Sequence, residues 1–154
     1  MAVGLPGAGK STYFQRRKIQ PLSTDALRLW LLDDSTDQSH GAWIFRTLRY
    51  LLHVRLLLGR PRTYIDATNL TRAERRVYIR MAAQHAYDVE VIYFDVPLEI
   101  CRQRNRQRGR PVPEEAMDRM AAKLSPPSLD EGFRRIRVVR PGLSERAPRG
   151  KGGG

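Results

Sequence analysis

Eight consecutive residues, Gly4-Leu5-Pro6-Gly7-Ala8-Gly9-Lys10-Ser11, satisfy every fixed position of the pattern G-x-x-x-x-G-K-[ST]. The apolar stretch Met1 to Val3 precedes them and a helix is expected from Lys10, the strand-loop-helix context that the pattern needs. Its chemistry is the cradling of phosphate. Glycines let the backbone curl until successive N–H groups converge on phosphate oxygens. The helix start adds a positive dipole end. Lys10 would reach the β- and γ-phosphates and Ser11 would ligate Mg²⁺, so ATP and Mg²⁺ are the expected cofactors. Gly7, Ala8, Gly9, Lys10, Ser11 and Thr12 are the expected nucleotide contacts. No Asn-Lys-x-Asp sequence occurs anywhere, which counts against a guanine-specific site.

Two carboxylates, Asp25 and Asp66, each follow a short strand-like segment, Leu22–Thr24 and Thr63–Ile65. Acids at strand ends lie at the rim where open α/β sheets bind ligands. There a carboxylate can align a hydroxyl and take its proton. Asp25 could equally be a helix cap, a position that favours Asp. Arg28, three residues on, shares its helical face. In the densest charge run, residues 102–110, Arg104 and Arg108 fall on one helical face and Arg102 and Arg106 roughly opposite. Only one pair can face a triphosphate. The other is expected to be solvated or to touch nucleic-acid backbone, because the run holds no acid for it.

Other candidates carry less. His40, His53 and His85 lack metal-ligand spacing. Met117 and Met120 suit helix packing, and Trp30 and Trp43 suit a core or an interface better than base stacking. Arg140, just past the last strand, could flank adenine. Cys101 is the only cysteine, which excludes an intrachain disulfide and a cysteine metal cluster. With no membrane-length apolar stretch and no secretory signal, a cytoplasmic protein with no membrane partner is expected.

The elements that must position these groups alternate between strand-like and helix-like, the pattern of an α/β domain with a mostly parallel sheet. Helices are expected over about 10–18, 25–32, 42–58, 71–87, 98–108 and 113–124. The fourth starts on the capping box Thr71/Glu74. Val89 to Phe94 is apolar except for Glu90, as suits a strand covered on both faces. Phe133 to Val139 reads as a last strand. The 154 residues make one domain, expected over 1–140, with a disordered tail over 141–154 where Gly, Pro, Arg and Lys take over. Only three residues precede the first glycine. That implies an unusually short first strand, or a sequence that begins downstream of a longer natural chain.

The layout resembles the small P-loop kinases: a central parallel sheet flanked by helices, with a helical lid. Further motifs then occur in order. They are Ser23-Thr24-Asp25 with Arg28, Asp66-Ala67-Thr68-Asn69-Leu70 with Glu74-Arg75-Arg76, Phe94-Asp95-Val96-Pro97, Arg104-Asn105, Arg108-Gly109 and Val112-Pro113. Together they resemble the polynucleotide 5′-hydroxyl kinase family from Gly4 to about Leu124. The resemblance implies transfer of the γ-phosphate of ATP to the 5′-OH end of RNA or DNA, in nucleic-acid repair. It implies Asp25 as general base, Arg28 on the acceptor's neighbouring phosphate, Asn69 at the acceptor, and Asp66 with Ser11 at the metal. Arg104 and Arg108 would be lid arginines, catalytic together with Lys10 and Asp25. Family members often carry phosphatase or ligase modules; none fits in this length, so such a partner would be separate or cut away.

Charge agrees without deciding. The formal net charge is +12, with 28 Lys and Arg against 16 Asp and Glu. This favours polyanionic partners. Lysine occurs only at positions 10, 18, 123 and 151, so arginine carries nearly all of it, which a skewed codon composition would also produce. Two alternatives stay open: a small-molecule kinase acting on a sugar, nucleoside or antibiotic hydroxyl, and a catalytically silent nucleotide-binding module.

Overall fold

Strand residues that alternate between two faces, and helices that bury an apolar stripe against them, build a three-layer α/β domain. The computed structural model describes residues 1–142; the expected tail lies, from residue 143 on, outside them. In chain order the elements are β1 (Ala2–Val3), α1 (Lys10–Arg16), β2 (Leu22–Ser23), α2 (Thr24–Leu32), α3 (Gly41–Leu57), β3 (Ile65–Asp66) and α4 (Arg72–Gln84). There follow β4 (Glu90–Phe94), α5 (Leu98–Arg106), α6 (Glu114–Lys123), a 3₁₀ turn at Leu129–Glu131, and β5 (Arg135–Val139). Among the described residues no helix is long and apolar enough to cross a membrane.

Every strand pair is parallel. The ladders are β1-β4-β5 and β2-β3. Alternation assigns the faces: Val3, Val91 and Tyr93 join Leu27, Ile44, Leu48, Leu52 and Tyr78 beneath α2, α3 and α4. Ala2 and Phe94 join Phe14, Cys101 and Met117 beneath α1, α5 and α6. The expected two-sided cover of the 89–94 strand is met. Trp30 and Trp43 are not core residues, being 70% and 64% exposed.

The two ladders are joined by a backbone hydrogen bond and the side chain of Asn69. The Gly4 N–H donates to Thr68 O (3.0 Å), and Asn69 Nδ2 donates to Ala2 O (2.8 Å) and to Ala67 O (3.4 Å). This places β3 beside β1, giving one layer in the order β2-β3-β1-β4-β5. Asn69 is 2% exposed and sits at φ +49°, a left-handed conformation that Asn tolerates better than most residues. Both bonds go to main-chain carbonyls, so the amide expected at the acceptor is engaged within the fold. Asn69→Ala should cost about 1–3 kcal/mol of stability in urea unfolding, the penalty of buried backbone acceptors left unpaired. A variant of unchanged stability with a weakened acceptor KM would restore the substrate role.

Local signals set the helix starts near the site. The Ser23 side chain accepts from the Ala26 N–H (3.3 Å) and so caps α2. Asp25 is therefore not the cap. At α4 the capping box between Thr71 and Glu74 forms as its spacing indicates. Glu74 also accepts from Leu70 N–H (2.7 Å), tying the helix to the segment after β3.

Candidate active site

The glycine-rich loop leaves β1 and enters α1. Gly7 has φ +81°, and a Cβ there would lie 2.4 Å from the Cys101 carbonyl oxygen. Only glycine fits, because α5 packs directly on the loop. Gly9, at φ +96°, precedes the first residue of α1. The Lys10 ammonium donates to the carbonyls of Gly4 (2.9 Å) and Leu5 (2.7 Å), spanning the loop. Its burial pushes its pKa down to about 8, against the opposing charges of Asp66 and Asp25. Bound phosphate would supply the negative charge that this buried cation lacks.

Ser11 and Asp66 meet although 55 residues apart: Ser11 Oγ donates to Asp66 Oδ2 (2.8 Å). Burial pushes the Asp66 carboxyl above its ordinary value, while Lys10 and the Ser11 hydroxyl pull it back. Two hard oxygen donors beside a phosphate loop fit Mg²⁺, which takes one or two protein oxygens and fills its remaining positions with phosphate and water. Among the described residues no group of three or more His, Cys, Asp or Glu could hold a metal by itself.

Asp25 and Arg28 stand on the first turns of α2, at the end of β2. Arg28 Nη1 donates to Asp25 Oδ1 (3.2 Å). Arg28 is only 7% exposed, while the Asp25 side chain is 54% exposed. The Arg28 Nε has no partner. A buried guanidinium with one hydrogen bond is costly unless an anion completes it.

The opposite wall is the lid. Arg104 Nη1 approaches Gly7 O (3.5 Å), reaching over the loop. The helix carrying it ends at Arg106, two residues earlier than expected. Arg108 therefore lies in the following turn, yet both arginines line the same cleft. Asn105 holds that turn: Nδ2 donates to Val112 O (2.7 Å), and Oδ1 accepts from Val112 N–H (3.0 Å). Arg106 is solvated, its side chain 64% exposed, and Arg102 is half-buried, but both are engaged in ion pairs. Arg102 pairs with Glu99 and Asp118, and Arg106 with Glu114 (2.9 Å). Acids from α6 supply the partners that the run itself lacks.

These parts enclose one cleft of about 970 Å³, near the top of the range for small-molecule sites and large enough for two ligands side by side. Lys10, Ser11, Asp25, Arg28, Asp66, Arg104 and Arg108 all line it; Asn69 does not. Eight Lys or Arg side chains line it against three Asp or Glu, a surplus suited to anionic ligands. At one end Arg140, paired with Asp95 (3.0 Å), sits beside Val96 and Val139, where the base of a nucleotide was expected. Outside the cleft lining, Arg110 of the lid turn donates to Asp34 (2.6 Å) in the loop after α2.

Sequence reasoning overlooked several residues. Gln38, Phe45 and Lys123 line the cleft from segments without a motif. Arg75 is fully buried. It donates to Glu131 through Nε (2.8 Å) and Nη2 (2.7 Å), and through Nη1 to the carbonyls of Asn69, Leu70 and Ser125. One signal was present: Arg75, Tyr78 and Ala82 share the inner stripe of α4, an odd place for a charge.

Comparison with known proteins agrees with this architecture. Residues 1–127 match the profile of the AAA domain family. The chain is similar to the L-seryl-tRNA(Sec) kinase of Methanococcus maripaludis, at 27% identity over 137 residues, covering 80% of this chain and 51% of that protein. It thus spans about half the length of that curated relative. In fold it is similar to a sugar kinase from Janibacter sp. HTCC2649, with TM-score 0.64, 20% identity, and coverage of 90% of this chain and 82% of that one. The APS kinase of Mycobacterium tuberculosis gives TM-score 0.54 and 21% identity, over 93% of this chain and 87% of that one. The expected α/β P-loop kinase fold is therefore present.

Proposed function

The chain belongs to the AAA domain family, and from that premise we propose that it is a kinase, moving the γ-phosphoryl group of ATP onto a hydroxyl. The observation that carries this reading is the placement of Asp25 and the buried Arg28 on the same cleft as Lys10 and the Ser11–Asp66 pair. In this reading the loop and Lys10 hold the donor phosphates, and Arg104 and Arg108 offset charge that spreads over the moving group. Ser11 and Asp66 would hold Mg²⁺, which when bound neutralises phosphate charge. Asp25, exposed enough to meet a substrate, aligns the acceptor hydroxyl and takes its proton.

For the acceptor, the relatives favour a small polar molecule or a serine carried on tRNA over the 5′-OH end of a polynucleotide. The names of the similar proteins are those of sugar, APS and seryl-tRNA kinases. Arg28 further restricts it to one bearing an anionic group near the reacting hydroxyl. A polynucleotide 5′ end remains the second reading, favoured by the net charge of +12, with a separate phosphatase or ligase as its partner. The deciding assay offers γ-labelled ATP with sugars, nucleosides, seryl-tRNA and a 5′-OH oligonucleotide. Label on the oligonucleotide alone would reverse the preference stated here. With the accepted substrate, Arg28→Ala should raise the acceptor KM at least about tenfold, the loss of one hydrogen bond to a charged group, while leaving the KM for ATP nearly unchanged. An equal effect on both would remove Arg28 from the acceptor.

A further inference from the structure

Helix α3 has two apolar faces. Ile44, Leu48, Leu52 and Leu56 form the buried one. On the other side stand Trp43, Thr47, Tyr50, Val54 and Leu57, spaced 4-3-4-3. Trp43, Tyr50 and Leu57 are 64%, 65% and 63% exposed. Single exposed apolar residues are ordinary. Three large ones repeating every seven residues along one helix are a seam, because that spacing keeps side chains facing a second helix. The seam runs about 21 Å at 1.5 Å per residue.

We propose that this seam joins two copies of the chain, with the α3 helices antiparallel about a two-fold axis near Tyr50. The pattern is symmetric about that residue. Trp43 and Leu57 lie equally far from it on either side, so each Trp43 meets the partner's Leu57 and the two Tyr50 rings meet at the axis. An isologous contact requires such self-complementarity.

Charge selects the same arrangement. The loop leading into α3 carries Asp33 and Asp37, besides Asp34 that pairs with Arg110 of its own chain, and the segment leaving it carries Arg60 and Arg62, both exposed. Antiparallel pairing sets acidic loop against basic segment at each end. A parallel pair would set like against like. Helix α3 itself contains no acid, so its flanks offer no other ion pairs to a second copy.

The size is adequate. Counted on both copies, Trp43 and Tyr50 offer on the order of 600 Å². Val54, Leu57 and the neighbouring Leu58 carry the total towards the about 1,000 Å² of a specific interface. Phe45, on the same helix, lines the cleft, so pairing would brace the wall beside Arg28.

Sedimentation velocity of the whole chain at about 100 µM, where mass action favours association, should show a dimer. Tyr50→Glu places two like charges at the axis and should give a monomer with unchanged far-UV circular dichroism, whose melting temperature, unlike that of wild type, does not rise with protein concentration. Tyr50→Cys should be linked into covalent dimers by a short bismaleimide, whereas Gln84→Cys, exposed on α4, should not. Cys101 is buried and adds little background. A wild-type monomer at that concentration overturns the proposal, as does a dimer that survives Tyr50→Glu or a Tyr50→Cys chain that fails to crosslink.

Discussion

Asp25→Asn is expected to keep nucleotide affinity within a factor of about two and to lower phosphoryl transfer by about 10²–10⁴-fold, the range for loss of a positioned general base. Asn preserves the shape and can still accept from Arg28, so the bond of 3.2 Å has a neutral counterpart. What Asn lacks is a site for the acceptor's proton. Lys10→Ala should differ in kind. That ammonium spans the glycine-rich loop through two carbonyls and would face the donor phosphates, so both nucleotide binding and transfer should fall. Calorimetric titration with a non-hydrolysable ATP analogue separates the two variants, beside label transfer to the accepted substrate. Unchanged transfer in Asp25→Asn would remove Asp25 as the base, whereas wild-type protein that binds nucleotide but labels no acceptor would favour a silent nucleotide-binding module over a kinase.

The second large effect is on stability. Arg75→Met should cost about 3–5 kcal/mol, the usual result of removing one partner from a buried ion pair. That is a large share of the roughly 5–15 kcal/mol that holds a domain together. The loss exceeds one contact because the guanidinium closes three separations at once. It bonds Glu131 with two nitrogens, and the third reaches the carbonyls of Asn69 and Leu70 after β3 and of Ser125 after the lid helix α6. Arg75→Lys keeps the charge without the fork and should recover only part of the loss. The double variant Arg75→Met/Glu131→Leu should recover more, since no buried charge is left unpaired. Urea denaturation measures all three, and a single Arg75→Met within about 0.5 kcal/mol of wild type, the range of ordinary surface changes, would show the bracket to be dispensable.

The same pair makes a pH prediction. Burial pushes the Glu131 carboxyl up, but the bonds from Arg75 and the Ser128 N–H outweigh it and hold the group below its ordinary value. A carboxylate with a depressed folded-state pKa stabilises fully above its unfolded value, about 4.3. That contribution is lost as pH falls through the folded value. Wild type should therefore lose stability on acidification by more than the double variant.

How far the chain could be read without its fold differs from residue to residue. The phosphate loop was legible because its chemistry is local: Gly7, Gly9, Lys10 and Ser11 act at fixed spacings on one continuous backbone. The capping box at Thr71 and Glu74 was legible for the same reason, and the two-faced strand 89–94 followed from a run that is apolar except for Glu90. Arg104 and Arg108 were paired by helical spacing. They do share the cleft, although α5 ends between them and a turn held by Asn105 completes the placement.

What failed depended on distant segments. Asn69 stood in a motif beside a strand end, and only the position of Ala2, 67 residues away, showed its amide to be a link between ladders. Arg102 and Arg106 had no acid within their own run; Glu114 and Asp118 come from the next helix. Trp43, Tyr50 and Leu57 were inconspicuous until the fold showed which side of α3 meets the sheet. By itself, then, the sequence determined the phosphate chemistry, the order of strands and helices, and the identity of Lys10, Ser11, Asp25 and Asp66 as candidates, since these follow from spacing along the backbone. Only the tertiary structure decided that Ser11 and Asp66 touch, that Arg28 is buried with a free donor, and that Arg75 and Asn69 are internal braces. Each of those is a question of burial and of partners far away in the chain, and local spacing does not encode it.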